Sequence, residues 1–254
     1  MDGAVVIWDP PDGELVAWDR AELEARSNRF ANLMVELGIG PGDPVAWLGP
    51  DSPDVVAILF ATEAIGAAAV AVNHRLAAPE VAYVLADSGA SVCFVDGEYA
   101  HLVAAARHHC PDLAHVLAFG SAPDVAVSDA RDRIEASSAA PPDVGPHQAG
   151  TAMIYTSGTT GRPKGVLRRA RGGARAGGAL VELFGFGPHD RYLPTGPLHH
   201  SGPQGFLFLA MGAGASVVLQ RRFDAEDWLR IVDRHRVTTS FSAPTPIRRI
   251  TQLP

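Results

Sequence analysis

Cysteine is scarce in this 254-residue chain, which has only Cys93 and Cys110. Two cysteines cannot build a disulfide framework, and these two form neither a C-x-x-C pair nor a zinc-type spacing. We therefore expect the protein to work in a reducing compartment, and the cytoplasm is the simplest location.

An excess of positive charge is also lacking, since the net charge is -7 and the calculated pI is about 5.8. This balance argues against a general affinity for nucleic acid or for an anionic membrane. The first nine residues contain neither a basic segment nor an apolar run of the kind found in signal peptides. The apolar run at 55–72 is interrupted by Thr62, Glu63 and Gly66, which favours a buried helix and strand over an integral membrane span.

Apolar content is high enough for a folded core, at 47% of residues, and short apolar runs alternate with helical patterns. The predicted strands are 45–48, 69–72, 91–95, 115–119, 152–155, 192–193, 216–219 and 238–241. The predicted helices are 20–37 after a cap at Asp19, a helix opening at Ser52 and Pro53, 79–87, 98–109, 131–136, 205–211 and 225–235. This alternation predicts an α/β fold with a parallel sheet that is covered on both faces.

A change of composition divides the chain. From Gly120 to Gly150 serine, alanine, proline and aspartate dominate, which is typical of a linker or surface crossing. We therefore predict one α/β subdomain over 1–140 and the start of a second over 141–254.

A loop rich in glycine and hydroxyl groups directly follows the predicted strand 152–155. It contains Thr156, Ser157, Gly158, Thr159, Thr160, Gly161 and, after Arg162 and Pro163, Lys164. Glycines allow successive N–H groups to turn toward one anion, while the hydroxyls and the ammonium add donors and charge. The loop therefore predicts polyphosphate binding. A flexible linker is the alternative, whereas a Walker A loop is excluded because Gly165 follows the lysine where serine or threonine is required.

The loop resembles the phosphate-binding motif of the AMP-forming adenylating enzymes, the superfamily of acyl-CoA synthetases, luciferases and peptide-synthetase adenylation domains. Two later segments resemble the next family motifs: Pro197 to Gly202, which includes His199 and His200, and Ala243 to Thr245. Segments before the loop, among them 28–45, 73–80 and 87–89, are similar to the amino-terminal half of an acyl-CoA synthetase. The resemblance implies two doubly wound α/β subdomains, truncated.

The resemblance also implies a reaction. A fatty or other hydrophobic carboxylic acid attacks Mg-ATP to give acyl-AMP and pyrophosphate, and coenzyme A then displaces AMP. Catalytic roles are implied for Lys164 and His200, with His200 beside the substrate carboxylate. Thr156, Ser157, Gly158, Thr159, Thr160, Gly161 and Lys164 would bind the β- and γ-phosphates. Mg²⁺ would accompany ATP, but none of these residues is implied as its ligand.

The chain departs from the family because it ends at Pro254, about halfway along a usual member. We therefore expect an amino-terminal fragment that is inactive alone and that associates with the missing half or with itself. The alternatives are a non-catalytic nucleotide-binding or interaction protein derived from the family and, with less support, a phosphotransferase. A glycine-broken basic stretch at 168–178 also makes a helix after the loop doubtful.

For the other polar residues considered, structural or surface positions are favoured over a functional role. His101, His108, His109, Cys110 and His115 lack the spacing of a helical zinc site, so solvent-facing positions are favoured over metal binding. Asp51, Asp54, Glu80 and Asp87 form no pair suited to general acid and base chemistry, and we interpret them as helix caps or surface residues.

Overall fold

The computed structural model describes residues 3–156, 163–168 and 173–254. The chain divides into two compact units. The first unit consists of Met1–Leu23, Pro50–Pro53 and Ala170–Pro254, and the second of Glu24–Gly49 and Asp54–Arg169. Each unit has its own sheet.

In the described part of the second unit, seven strands form one sheet in the order β7-β6-β5-β3-β4-β8-β9. These are β3 (Pro44–Leu48), β4 (Ala68–Val72), β5 (Val92–Asp96), β6 (His115–Phe119), β7 (Ser128–Asp129), β8 (Thr151–Thr156) and β9 (Lys164–Arg168). All neighbours are parallel except β8 and β9, which are antiparallel. Every residue of β4 and β5 is buried, as expected for strands covered on both faces.

Helices of the second unit cover this sheet. They are α1 (Arg20–Glu36), of which the part from Glu24 belongs here, α2 (Pro53–Ala64), α3 (Ala78–Ser88), α4 (Ala100–Ala106) and α5 (Arg131–Ala136). A capping box starts α1, since the Asp19 and Glu22 side chains each accept the other residue's backbone N–H at 2.8 Å. In α2 the residues from Val55 to Leu59 are all buried, which explains their continuous apolar sequence.

The segment after α5 is fastened to α1. The amide of Asn28 donates to the carbonyl of Ala139, and that of Asn32 donates to the carbonyls of Ser138 and Ala140, each at 2.9 Å. These bonds satisfy backbone groups that have no partner in a sheet or helix. The proline-rich crossing therefore has a fixed course at its start.

The first unit contains a smaller sheet in the order β10-β11-β1-β2. Its strands are β1 (Val6–Trp8), β2 (Val16–Trp18), β10 (Arg191–Tyr192) and β11 (Ser216–Leu219). Helices α6 (Gly173–Phe184), α7 (Ser201–Gly212), α8 (Ala225–His235) and α9 (Pro244–Thr251) belong to the same unit. The core of this unit joins Ile7, Leu193, Val218 and Ile231, which are all buried.

The structure confirms the α/β class and most predicted elements. It differs at β1, β2, β7, β9 and α9, which were not predicted, and at α6, which forms although glycines made a helix doubtful. Residues 238–241 were predicted as a strand, but there the structure has only an isolated bridge between Tyr192 and Thr239. Residues 98–109 contain a central α4 flanked by two short 3-10 turns.

Two further predictions concern the whole chain. The described residues form no helix that is both long and apolar enough to span a membrane. The division at 140 and 141 stays a prediction, although residues 141–169 lie in the same compact unit as the preceding strands because β8 pairs with β4.

A buried carboxylate joins β1 of the first unit to α8. Asp9 accepts hydrogen bonds from Arg230 at 2.9 Å and from Arg234 at 3.1 Å, and it lies 2.7 Å from Nε2 of the fully buried His235. Burial alone would raise the pKa of Asp9. Hydrogen bonds from His235 and Arg230, with the positive charges of Arg230 and Arg234, outweigh burial and lower it.

We expect Asp9→Asn to lower the free energy of unfolding by roughly 2 to 3 kcal/mol at neutral pH, because charged donors lose their ionised acceptor. A lowered folded-state pKa stabilises the protein above the ordinary value of 3.8, and this contribution disappears as the pH falls below it. Urea unfolding at several pH values measures the effect. The control is Asp233→Asn on the same helix, where an exposed ion pair with Arg236 spans 3.9 Å. Equal stability of both variants at neutral pH would contradict this role of Asp9.

Candidate active site

The predicted phosphate loop connects two paired strands of the second unit. Thr156 ends β8 and Lys164 begins β9, and the two residues are directly paired across the antiparallel ladder. Ser157, Gly158, Thr159, Thr160 and Gly161 lie outside the described residues. The side chain of Lys164 is exposed. The loop is therefore the connection of a hairpin, and Lys164 lies where the chain returns from it.

Tyr155 supports the base of this hairpin. Its hydroxyl donates to Oδ2 of Asp87 on α3 at 2.8 Å. Burial, with the hydrogen bond and the charge of Asp87, raises the pKa of Tyr155, so the hydroxyl keeps its proton as a donor. The ring also explains a glycine in the motif, because a Cβ at Gly165 would lie 3.0 Å from Cζ of Tyr155. A side chain at Gly165 would therefore displace the ring that anchors β8.

His200 lies in the first unit at the start of α7. Its backbone N–H donates to the carbonyl of Pro197 at 3.0 Å, which closes a tight turn, and His200 is the N-cap residue of the helix. Its side chain is exposed, whereas the neighbouring His199 is buried, and the two ring centroids are 4.4 Å apart. Of the two histidines, His200 is thus the one that can reach a bound molecule.

The structure brings the second and third sequence motifs together. The hydroxyl of Thr195, just before Pro197, donates to the carbonyl of Phe241 at 3.2 Å and to Oγ of Ser242 at 2.8 Å. Ala243 follows directly and is the N-cap residue of α9. The segment before His200 and the segment before α9 are therefore tied side by side.

Asp51 corrects an interpretation made from sequence. It was taken as a cap or surface residue, but it is only 4% exposed, and its Oδ1 accepts the backbone N–H of Leu198 at 2.8 Å. Burial raises the pKa of Asp51 to about 7, while the hydrogen bond from Leu198 acts in the opposite direction. Sequence reasoning missed this residue because its partner lies 147 positions away. The surface interpretation also fails for Asp54, which is half-buried and paired with Arg26 at 2.9 Å.

Aromatic rings gather beside the start of α7. The ring of Phe206 lies 4.8 Å from that of Phe184 and 4.9 Å from that of Phe241, measured between centroids. The ring of Phe241 occupies the space next to Gly202, and a Cβ added there would overlap it. Glycine at this position therefore allows an aromatic side chain to pack against the helix two residues after His200.

The described part of the chain contains no group of side chains suited to bind a metal ion. No three His, Cys, Asp or Glu side chains converge there in a way that could hold an ion. Among the predicted site residues, Lys164 and the end of β8 belong to the second unit, and His200 belongs to the first.

Comparison with known proteins identifies a family for the chain. Residues 2–254 match the family model described as "AMP-binding enzyme". The chain is 35% identical to a 3-hydroxybenzoate–CoA ligase of Aromatoleum sp. (strain CIB) over 90% of its own length and 44% of the relative's. It is 37% identical to a feruloyl-CoA synthase of Amycolatopsis sp., over 92% and 45%.

Solved structures show the same likeness. The inhibitor-bound N-terminal domain of FACL13 from Mycobacterium tuberculosis has a TM-score of 0.84 at 26% identity, and the match covers 97% of this chain and 61% of that one. The anthranilate CoA ligase AuaEII in complex with anthranoyl-AMP has a TM-score of 0.82 at 26% identity, covering 96% and 47%. The chain spans a little under half the length of the curated relatives it matches.

We expect Gly202→Ala to lower the free energy of unfolding by about 1 to 3 kcal/mol, because the new methyl group overlaps the ring of Phe241. The matched control is Gly205→Ala in the same helix, where nothing lies within 4 Å and alanine should stabilise by roughly 0.5 to 1 kcal/mol. Denaturant unfolding of both variants, and of Gly202→Ala combined with Phe241→Leu, measures the contact. The double variant should recover part of the lost free energy of unfolding. If alanine raised the free energy of unfolding equally at both glycines, the result would contradict the contact between Gly202 and Phe241.

Proposed function

The chain belongs to the AMP-binding enzyme family, and we propose that it is the phosphate-binding part of an ATP-dependent acyl-CoA synthetase. The observation that carries the proposal is the hairpin, which pairs Lys164 with Thr156 at the two ends of a glycine- and hydroxyl-rich loop. An exposed ammonium beside a loop with many N–H and hydroxyl donors fits a polyphosphate ligand.

In the proposed first step, an oxygen of the substrate carboxylate attacks the α-phosphorus of ATP. The bond from that phosphorus to the bridging oxygen breaks, giving acyl-AMP and pyrophosphate. The thiol of coenzyme A then attacks the acyl carbon and AMP leaves. Lys164 and the loop Thr156 to Gly161 hold the β- and γ-phosphates and neutralise the charge that passes to pyrophosphate.

His200 is the proposed contact for the acid. It is exposed at the N-cap of α7, where the positive end of the helix dipole favours an anion. In this position its imidazole can donate to one carboxylate oxygen and orient the other toward phosphorus. His199 is buried, and we assign it no contact with the acid.

For the acid itself we propose a hydrophobic carboxylic acid, with an aromatic acid favoured over a long aliphatic one. The cluster of Phe184, Phe206 and Phe241 beside the start of α7 supports this choice, since aromatic rings pack well against one another. Relatives named for hydroxybenzoate, indoleacetate and ferulate support it too, although relatives at 29% and 32% identity are named for fatty acids.

ATP and coenzyme A are co-substrates in this proposal. Mg²⁺ is proposed to accompany ATP, and the described residues provide no group of ligands for it, so we assign it no step. Lys164, the loop and His200 act by binding, orientation and charge alone.

The proposal can be tested at Lys164, which is the only lysine in the sequence. Reductive methylation with ¹³C-formaldehyde keeps its charge and labels a single side chain besides the amino terminus. We expect pyrophosphate and ATP to shift the NMR signal of this side chain. Lys164→Ala should weaken pyrophosphate binding about ten- to a hundredfold, because a charge-assisted hydrogen bond is worth roughly 1.5 to 3 kcal/mol.

The matched control is Arg107→Ala, which removes another exposed cation of the same unit. It should leave pyrophosphate affinity unchanged, whereas Lys164→Arg should retain part of it. Equal affinity of wild type and Lys164→Ala would remove the hairpin from the proposed function.

We expect the 254-residue chain by itself to bind ATP weakly and to form no acyl-AMP from hydroxybenzoates or fatty acids. The relatives it matches are more than twice its length, so we expect this chain to supply only some of the contacts that stabilise the transition state. Such a partial site should bind ATP but should not catalyse the reaction. Radiolabelled ATP with chromatography of the products measures this. Acyl-AMP or acyl-CoA made by the purified chain would contradict it, and ATP hydrolysed to ADP would indicate a phosphotransferase instead.

A further inference from the structure

Two hydrogen bonds from distant segments hold the backbone on either side of His200. Before it, Oδ1 of Asp51 accepts the N–H of Leu198 at 2.8 Å. After it, the hydroxyl of Tyr192 donates to the carbonyl of Pro203 in the first turn of α7, at 3.1 Å. All five residues belong to the first unit. The backbone that carries His200 is thus anchored at both ends, although its side chain is exposed.

The anchors Asp51 and Tyr192 are also close enough to influence each other. Burial raises the pKa of Tyr192, and the negative charge of Asp51 raises it further, so the phenol remains a donor to Pro203. Both groups are therefore buried, and the charge on one affects the ionisation of the other. The ionisable residues nearest to these anchors along the chain include Arg191, which precedes Tyr192, and the buried His199, which follows Leu198.

Burying a carboxylate only to accept a hydrogen bond from one amide is energetically unfavourable. Asp51 is 4% exposed, and burying its charge costs more than burying a neutral side chain of the same shape. Asparagine would offer the Leu198 N–H a carbonyl acceptor without that cost. An ionised acceptor, however, makes a stronger and shorter hydrogen bond, which restricts the position of the donor more tightly.

We propose that Asp51 is a positioning residue whose carboxylate holds the Leu198 amide and so fixes the turn that presents His200 to the carboxylate of the acid substrate. The inference rests on the proposed function only in the last part, the encounter of His200 with the acid. The positioning of the His200 turn by the hydrogen bond between Asp51 and Leu198 does not depend on the proposed function, and it involves residues of the first unit alone.

The experiment follows the His200 ring and the Leu198 amide by NMR in the 254-residue chain, without nucleotide. The wild type is compared with Asp51→Asn and Asp51→Ala, and His200→Gln assigns the ring signal. His101 is the internal control, because it is an exposed histidine of the second unit. A pH titration from about 5.5 to 8.5 brackets the ordinary histidine pKa of about 6.5.

We expect the signals of the Leu198 amide and the His200 ring in the wild type to share a change with pH that Asp51→Asn abolishes. In Asp51→Ala the His200 ring signal should move toward its position in an unfolded peptide, and Asp51→Asn should restore most of this shift. The signal of His101 should stay unchanged in both variants.

The proposal is overturned if the Leu198 amide responds to Asp51→Ala and the His200 ring does not, since Asp51 would then only satisfy a buried N–H. If Asp51→Ala does not fold, wild type is compared with Asp51→Asn, and a His200 ring signal that is the same in both at every pH overturns the proposal. A final titration with 3-hydroxybenzoate separates the two claims. If the His200 signal responds to substitution of Asp51 but not to the acid, the result counts against the proposed function and not against the role of Asp51.

Discussion

The pairing of β8 with β4 is the constraint on which the candidate phosphate site depends. Four residues of β8 pair with β4 in parallel, from Thr151 opposite Ala68 to Ile154 opposite Ala71, and β4 is buried throughout. A one-residue slip would reverse the faces of every side chain, so burial fixes where β8 ends. The strand therefore delivers the loop to the carboxyl edge of a parallel sheet, where open α/β folds bind ligands.

The antiparallel strand β9 adds the second requirement of the site. A parallel neighbour would need a long crossover, whereas the hairpin returns after a short loop and pairs Lys164 with Thr156. Tyr155 and Gly165, one step further along the ladder, hold this arrangement through ring packing and through the hydrogen bond to Asp87. In the first unit, the hydrogen bonds of Asp51 to Leu198 and of Tyr192 to Pro203 hold the backbone on either side of His200.

Local signals made much of the fold predictable. Strands such as β5 and β6 each contain four consecutive apolar residues, and α8 has a regular amphipathic pattern, so each could be placed without knowledge of its neighbours. The loop was predictable because its chemistry is contained in successive residues. β9 was not, because its sequence from Lys164 to Arg168 begins and ends with charge and becomes a strand only by pairing with β8. Asp51 was missed for a similar reason, since its role depends on an amide 147 residues away.

Amide hydrogen exchange can show directly whether the hairpin between β8 and β9 binds polyphosphate. The amide hydrogens of the 254-residue chain would be exchanged for deuterium with and without pyrophosphate, and mass spectrometry of its peptides would measure the uptake. We expect slower exchange in the peptide covering 156–165, where N–H groups would turn toward the anion, and no change in the peptide covering 97–119. Binding of pyrophosphate with unchanged exchange in 156–165 would contradict it.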